Sequence, residues 1–135
     1  MPSKNWNNIF VYGTLKRGYN MLNIVPDAVF LRETTLYGFN IYDLGSYPGI
    51  KTVEDKDNSD SQQYPFVRGE LWSVSDEGLA RLDRYEGSAY SKIMVEIEAD
   101  FNEGLDPGET EWAVTYHYDG NVSHLKPIVN GEWKK

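Results

Sequence analysis

Two segments carry residue types able to do chemistry together. The first, Val11-Tyr12-Gly13-Thr14-Leu15-Lys16-Arg17-Gly18, follows the apolar run Ile9-Phe10-Val11. A strand that stops at a glycine turns successive backbone N–H groups toward one hollow, which suits an anion or a polarised carbonyl oxygen. Gly13 also reads as a plain turn glycine. The second, Leu82-Asp83-Arg84-Tyr85-Glu86-Gly87, carries a carboxylate, Glu86, just before its closing glycine.

At roughly 100° per residue, Leu79 and Leu82 share one face of a helix over 76–86, and Glu86 falls between them. Arg81, Arg84 and Tyr85 point elsewhere. The face that must dock on a sheet therefore ends in an acid. Partial burial and the helix C-terminal dipole both raise a carboxyl pKa, as a general base and acid near neutral pH requires. Two other readings fit the same wheel: Glu86 frays into solvent, or it pairs with a cation such as Arg68.

Several residues around these segments read in two ways. Tyr47, beside Pro48-Gly49, is a hydrogen-bond donor to the loop or a surface aromatic. Tyr90 lines a pocket or belongs to a sheet, and Tyr116 and Tyr118 allow either. Asp83 orients the loop or is a surface acid, and Lys16 and Arg17 attract an acidic substrate or are solvated. His117 and His124 have no companion acids at metal-ligand spacing, so no metal site is expected. No Ser stands in a G-x-S-x-G setting, and Gly13-Thr14-Leu15-Lys16 lacks the spacing and ending of a P-loop. With no cysteine, thiol catalysis and disulfides are excluded.

The elements that must position these groups read mostly as strands. Residues 8–12 form a first strand, and 20–26 a short helical turn stopped by Pro26. The stretch 28–44 is one long strand bent at Gly38 or two strands in succession. Ser46-Tyr47-Pro48-Gly49 predicts a turn, and 54–63 is a wholly polar surface loop. Pro65 to Val74 alternates as a strand, with Gly69 admitting a close backbone. Ser75 caps a helix that Gly87 closes. Tyr90 to Glu98 and Glu111 to Tyr118 alternate again, around a Gly/Pro/Asp-rich turn at 102–111. On the last strand Trp112, Val114 and Tyr116 share one face and Ala113, Thr115 and His117 the other. A further turn is predicted at Asn130-Gly131. One sheet this aromatic would expose a greasy face, so it is expected to curl into a small barrel with the helix outside or across one end.

The 135 residues fit one domain with one core, and 14 % aromatics, including 10 Tyr and 4 Trp, favour strands. A net charge of −8 disfavours nucleic acid, and the absence of a basic run disfavours an anionic membrane surface. No stretch has the length needed to span a bilayer, and no signal-peptide pattern opens the chain, so a cytoplasmic location is expected.

Four segments, in order, resemble the gamma-glutamylcyclotransferase-like family, in particular its gamma-glutamylamine cyclotransferase branch. They are Val11-Tyr12-Gly13-Thr14-Leu15; Leu44-Gly45-Ser46-Tyr47-Pro48-Gly49-Ile50; Val67-Arg68-Gly69-Glu70-Leu71-Trp72; and Leu82-Asp83-Arg84-Tyr85-Glu86-Gly87 followed by Tyr90. The resemblance spans roughly residues 8–118, and the strand from Trp112 to Tyr118 with the tail at 125–133 is similar to small bacterial and phage members.

The resemblance implies an α+β, mostly β fold: a small mixed β-barrel with one main helix, at about 75–86, and short helical turns. It implies a cyclisation in which the α-amino group of a gamma-glutamyl substrate attacks its own side-chain carbonyl, giving 5-oxoproline and a free amine. Glu86 would move the proton, Tyr12, Gly13, Thr14 and Leu15 would cradle the substrate, and Tyr47 and Tyr90 would line the site. The expected partner is a small gamma-glutamyl molecule, with neither cofactor nor metal. Two alternatives stay open: an enzyme on the same scaffold that removes a gamma-glutamyl group from a biosynthetic intermediate, and a non-catalytic barrel that binds a small ligand or a protein.

Overall fold

The computed structural model describes residues 6–13, 20–45, 47–52, 65–98, 110–128 and 131. The elements run β1 (Trp6–Val11), α1 (Met21–Ile24), β2 (Val29–Tyr37), β3 (Phe39–Asp43), β4 (Pro48–Thr52), β5 (Phe66–Ser75), α2 (Asp76–Glu86), β6 (Tyr90–Glu98) and β7 (Thr110–Tyr118). The fold is α+β and mostly β, as the sequence predicts. The polar loop at 54–63, Lys16, Arg17 and nearly all of the turn at 102–111 lie outside the described residues, as does Asn130 of the turn predicted at 130–131.

The strands join one sheet in the order β2-β5-β1-β7-β4-β3, with β6 also paired to β7. β6 runs antiparallel along the whole of β7, from Tyr90↔Tyr118 to Glu98↔Thr110. A strand has two edges, so β1 and β4 must share the other one. Both are parallel to β7: β1 meets it at Ile9↔Val114 and β4 at Ile50↔His117. Between Val114 and His117, β7 changes partner, and the sheet forks there. This fork positions everything at the site.

The sheet curls into a half-barrel, with β6 brought against β2 and β3 against β5. Its inner face buries Phe10, Leu36, Ile41, Ile50, Val67, Leu71, Val95, Ile97 and Ala113. Its outer face packs Ile9, Val11, Trp72, Val74 and Tyr116 against Met21, Val25 and Leu82 of the helical side. Alternate residues of Ile9-Phe10-Val11 thus face two different cores, which is why that strand reads as a continuous apolar run. Trp112 shares a face of β7 with Val114 and Tyr116, and at its end of the strand it is 57 % exposed.

Local chemistry sets the element ends. Gly38, at φ +90°, separates β2 from β3, so the stretch at 28–44 is two strands. The Ser75 hydroxyl accepts the Gly78 N–H at 3.1 Å, and Gly87, at φ +77°, donates its N–H to the Asp83 carbonyl at 3.1 Å. Gly69 fits because an added Cβ would lie 2.3 Å from the Val11 carbonyl oxygen. One expectation is corrected. Pro48 and Gly49 are not a turn but the first residues of β4. The chain reverses earlier, where the Leu44 N–H bonds the Tyr47 carbonyl and Gly45 takes φ +114°. Proline is tolerated at the first position of a strand, where its missing donor costs little. Gly49 packs under Tyr118, whose Cβ would be 2.6 Å from an added Cβ.

Candidate active site

The fork opens a hollow lined by Val11, Tyr12, Gly13, Tyr47, Pro48, Glu86 and Tyr90. Each wall follows from the topology. β1 ends at Val11 and delivers Tyr12 and Gly13, β4 begins at Pro48, and β6 begins at Tyr90. The last residue of α2 brings in Glu86. Of the residues predicted from sequence, Tyr12, Gly13, Tyr47, Glu86 and Tyr90 come together here. Thr14 and Leu15 lie outside the described residues.

Glu86 follows Leu82, which is fully buried, on the docked face of α2. Burial pushes its carboxyl pKa up to about 7. Among the described residues no ion pair reaches it. Arg68, the cation weighed as its partner, instead donates to the Thr35 hydroxyl at 2.9 Å on the exposed side of β5.

The Tyr12 ring is buried, and its hydroxyl donates to the Tyr116 carbonyl at 2.6 Å. The same oxygen accepts a backbone hydrogen bond from Ile50. The phenol therefore stitches β7 to β4 at the fork. Burial, then the nearby Glu86 and Tyr90, raise its pKa well above the ordinary phenol value, and the Ile50 bond opposes them. Tyr12 stays neutral, and its hydroxyl is committed to the fold. What it offers the hollow is its ring and its backbone.

Tyr90 is both the first residue of β6 and a wall of the hollow, so its two readings are both met. Its hydroxyl donates to the Pro48 carbonyl at 2.7 Å, and burial foremost, with Glu86 next, raises its pKa. Its ring lies 6.3 Å from Tyr47 and 5.5 Å from Tyr118, centroid to centroid, and Tyr47, 44 % exposed, stands at the mouth. Asp83 is half-exposed but not free: Tyr116 donates to one carboxylate oxygen at 2.6 Å and Lys92 to the other at 3.0 Å.

Among the described residues no three His, Asp or Glu side chains gather as metal ligands. His117 pairs through Nδ1 with Asp119 at 3.2 Å, and Asp119 is held below the usual carboxylate range, first by the Ser91 hydroxyl and then by His117. No helix among the described residues is long and apolar enough to cross a membrane.

Sequence reasoning did not anticipate Val11 and Pro48 as walls, nor the tie from Tyr116 to Asp83. The apolar run and the Tyr-Pro-Gly segment signal both walls locally. The tie has no local signal, because its two residues are 33 positions apart.

Residues 9–135 match the family described as Gamma-glutamyl cyclotransferase, AIG2-like. The chain is 27 % identical to the gamma-glutamylcyclotransferase family protein YtfP of Escherichia coli K12, over 93 % of this chain and 94 % of that protein. It is 32 % identical, over 83 % of this chain and 67 % of the relative, to the gamma-L-glutamyl-butirosin B gamma-glutamyl cyclotransferase of Niallia circulans. Among solved structures, an AIG2-like protein from Mus musculus superposes with a TM-score of 0.71 at 20 % identity, covering 96 % of this chain and 89 % of that one.

Proposed function

The chain belongs to the gamma-glutamyl cyclotransferase, AIG2-like family, and on that premise we propose that it converts a gamma-glutamyl amine or peptide into 5-oxoproline and the free amine. The observation that carries this reading is Glu86, whose carboxyl titrates near pH 7 in the hollow that Tyr12 and Gly13 also line.

The substrate enters with its α-ammonium group toward Glu86. The carboxylate takes one ammonium proton, and the freed amine attacks the side-chain carbonyl carbon. The new C–N bond closes a five-membered ring, and the carbonyl oxygen becomes an oxyanion. Glu86 returns the proton to the amide nitrogen, and the oxyanion collapses to the lactam carbonyl as the old C–N bond breaks. The ring nitrogen gives up its second proton through the Glu86 carboxylate to the departing amine, which leaves as an ammonium ion. A pKa near 7 suits one group to these transfers. The nucleophile is tethered to its target, so holding the chain bent removes much of the entropic barrier. Backbone N–H groups of the loop at 12–15 hold the substrate carboxylate or the oxyanion. Neutral Tyr12 and Tyr90 place no competing charge beside the ammonium group.

A non-catalytic barrel would be favoured by a cation paired with Glu86 and by side chains filling the hollow at 12–15; among the described residues no ion pair reaches Glu86. Removal of a gamma-glutamyl group from a biosynthetic intermediate uses the same bond chemistry with a larger leaving amine. The 32 % identity to the Niallia circulans relative favours including such substrates. Leaving-group contacts fall at the mouth, where Tyr47 stands.

The test is incubation of purified protein with a panel of gamma-glutamyl amines, dipeptides and gamma-glutamylated aminoglycosides, with 5-oxoproline read by mass spectrometry. Release of 5-oxoproline from at least one is expected. No turnover across the panel returns the chain to the binding-barrel reading.

A further inference from the structure

Glu86 is the last residue of α2. The final turn of a helix leaves carbonyls without intrahelical partners and frays readily. Burial also disfavours the ionised carboxylate, so nothing intrinsic to Glu86 keeps it over the hollow. Something must hold that turn down.

Tyr116 occupies the place where the walls meet. It sits on β7 between Val114, which pairs with β1, and His117, which pairs with β4, and it is only 4 % exposed. Its backbone carbonyl accepts the Tyr12 hydroxyl at 2.6 Å. Its own hydroxyl donates to Asp83 Oδ1, also at 2.6 Å. Asp83 lies three residues before Glu86, and its backbone carbonyl accepts the Gly87 N–H that closes the helix. One residue thus grips both the segment after β1 and the helix turn that carries the acid.

We propose that Tyr116 is a positioning residue: its carbonyl fixes the Tyr12–Gly13 wall, and its hydroxyl, through Asp83, holds the last turn of α2 so that Glu86 faces that wall. The inference rests on the proposed cyclotransferase reading only for its consequence in catalysis. The grip itself is a property of the fold.

The test is built so that the two can fail separately. In protein labelled with 13C at glutamate side-chain carboxyls, the Glu86 resonance, assigned by its loss in Glu86→Gln, is followed from pH 4 to 9 in the parent and in Tyr116→Phe. The titratable groups facing Glu86 are Tyr12, Tyr90 and Tyr116, with Asp83 one turn back and Tyr47 across the hollow. Tyr12, Tyr90 and Tyr116 stay neutral over this range. Without the hydroxyl, the turn loosens and Glu86 reaches water, so its titration midpoint falls by about one pH unit or more. On a substrate the parent cyclises, kcat falls by about ten- to a hundredfold while KM changes little.

An unchanged Glu86 midpoint in folded Tyr116→Phe overturns the proposal. If that variant does not fold, Asp83→Asn, which keeps an acceptor for the Tyr116 hydroxyl, is compared with Asp83→Ala, which does not. A lowered midpoint in the alanine variant alone supports the grip, and equal midpoints overturn it. A parent without turnover refutes the proposed activity and leaves the titration to decide the grip.

Discussion

Tyr12 and Tyr116, 104 residues apart in the chain, are joined by a 2.6 Å hydrogen bond from phenol to backbone carbonyl. The bond lies at the fork of the sheet, where β1 gives way to β4 along β7. Where the direct ladder between strands is interrupted, a side chain supplies the missing donor and acceptor. The gap between the strands becomes the hollow, and the tyrosine keeps it from either closing or unzipping.

Tyr12→Phe removes that link and leaves the Tyr116 carbonyl and the Ile50 N–H short of a partner in a buried place. The expected cost is about 1–3 kcal/mol of stability. Urea unfolding of parent and variant measures it. Equal midpoints and slopes would show that water or a shifted backbone replaces the phenol.

Glu86→Gln keeps the size of the side chain and removes its proton chemistry. 5-Oxoproline formation is expected to fall by about 10²–10⁴-fold with the fold intact by circular dichroism. A variant that cyclises gamma-glutamyl substrates at the parent rate would falsify the assignment of the proton carrier.

The pH dependence of kcat/KM reports the free enzyme. The base must be ionised, so activity is expected to fall toward acid with a midpoint at about pH 7. An acid limb at about 4.5, the ordinary value for glutamate, would mean that Glu86 is solvated when it works.

Stability carries the same signature with a definite sign. The folded-state pKa of Glu86, about 7, lies above its ordinary value of 4.5. Its contribution is therefore fully present below pH 4.5, is lost as pH rises to 7, and stays lost above it. Relative to Glu86→Gln, the parent is expected to lose up to about 3 kcal/mol across that window. Paired urea titrations at acid and alkaline pH check this, and a difference that stays constant with pH contradicts it.

Gly69→Ala would press a methyl group 2.3 Å from the Val11 carbonyl oxygen and 2.7 Å from the Phe10 ring, just before the hollow begins. One contact is backbone and cannot swing aside. Destabilisation of about 1–3 kcal/mol is expected, with a shift of β1 against β5. Amide chemical shifts of Val11 to Gly13 would register that movement, and unchanged shifts would refute it.

The sequence by itself determined the pieces. Alternation drew the strands, Ser75 and Gly87 marked the ends of α2, and Leu79, Leu82 and Glu86 fell on one helical face because a helix repeats every 3.6 residues whatever surrounds it. The family motifs pointed to Tyr12, Gly13, Tyr47, Glu86 and Tyr90, and these do line one hollow. Tertiary structure alone decided the burial of Glu86, and so its raised pKa, because desolvation depends on what covers a side chain rather than on its neighbours in the chain. It also moved Pro48-Gly49 from a turn into β4, where Asp43↔Pro48 and Tyr42↔Gly49 complete a ladder that no local turn signal registers. And it set the fork itself. β1, β4 and β7 are remote in sequence and meet in parallel through long connections, so the register that brings Tyr12 to Tyr116 is fixed by the packing of two cores rather than by any local pattern.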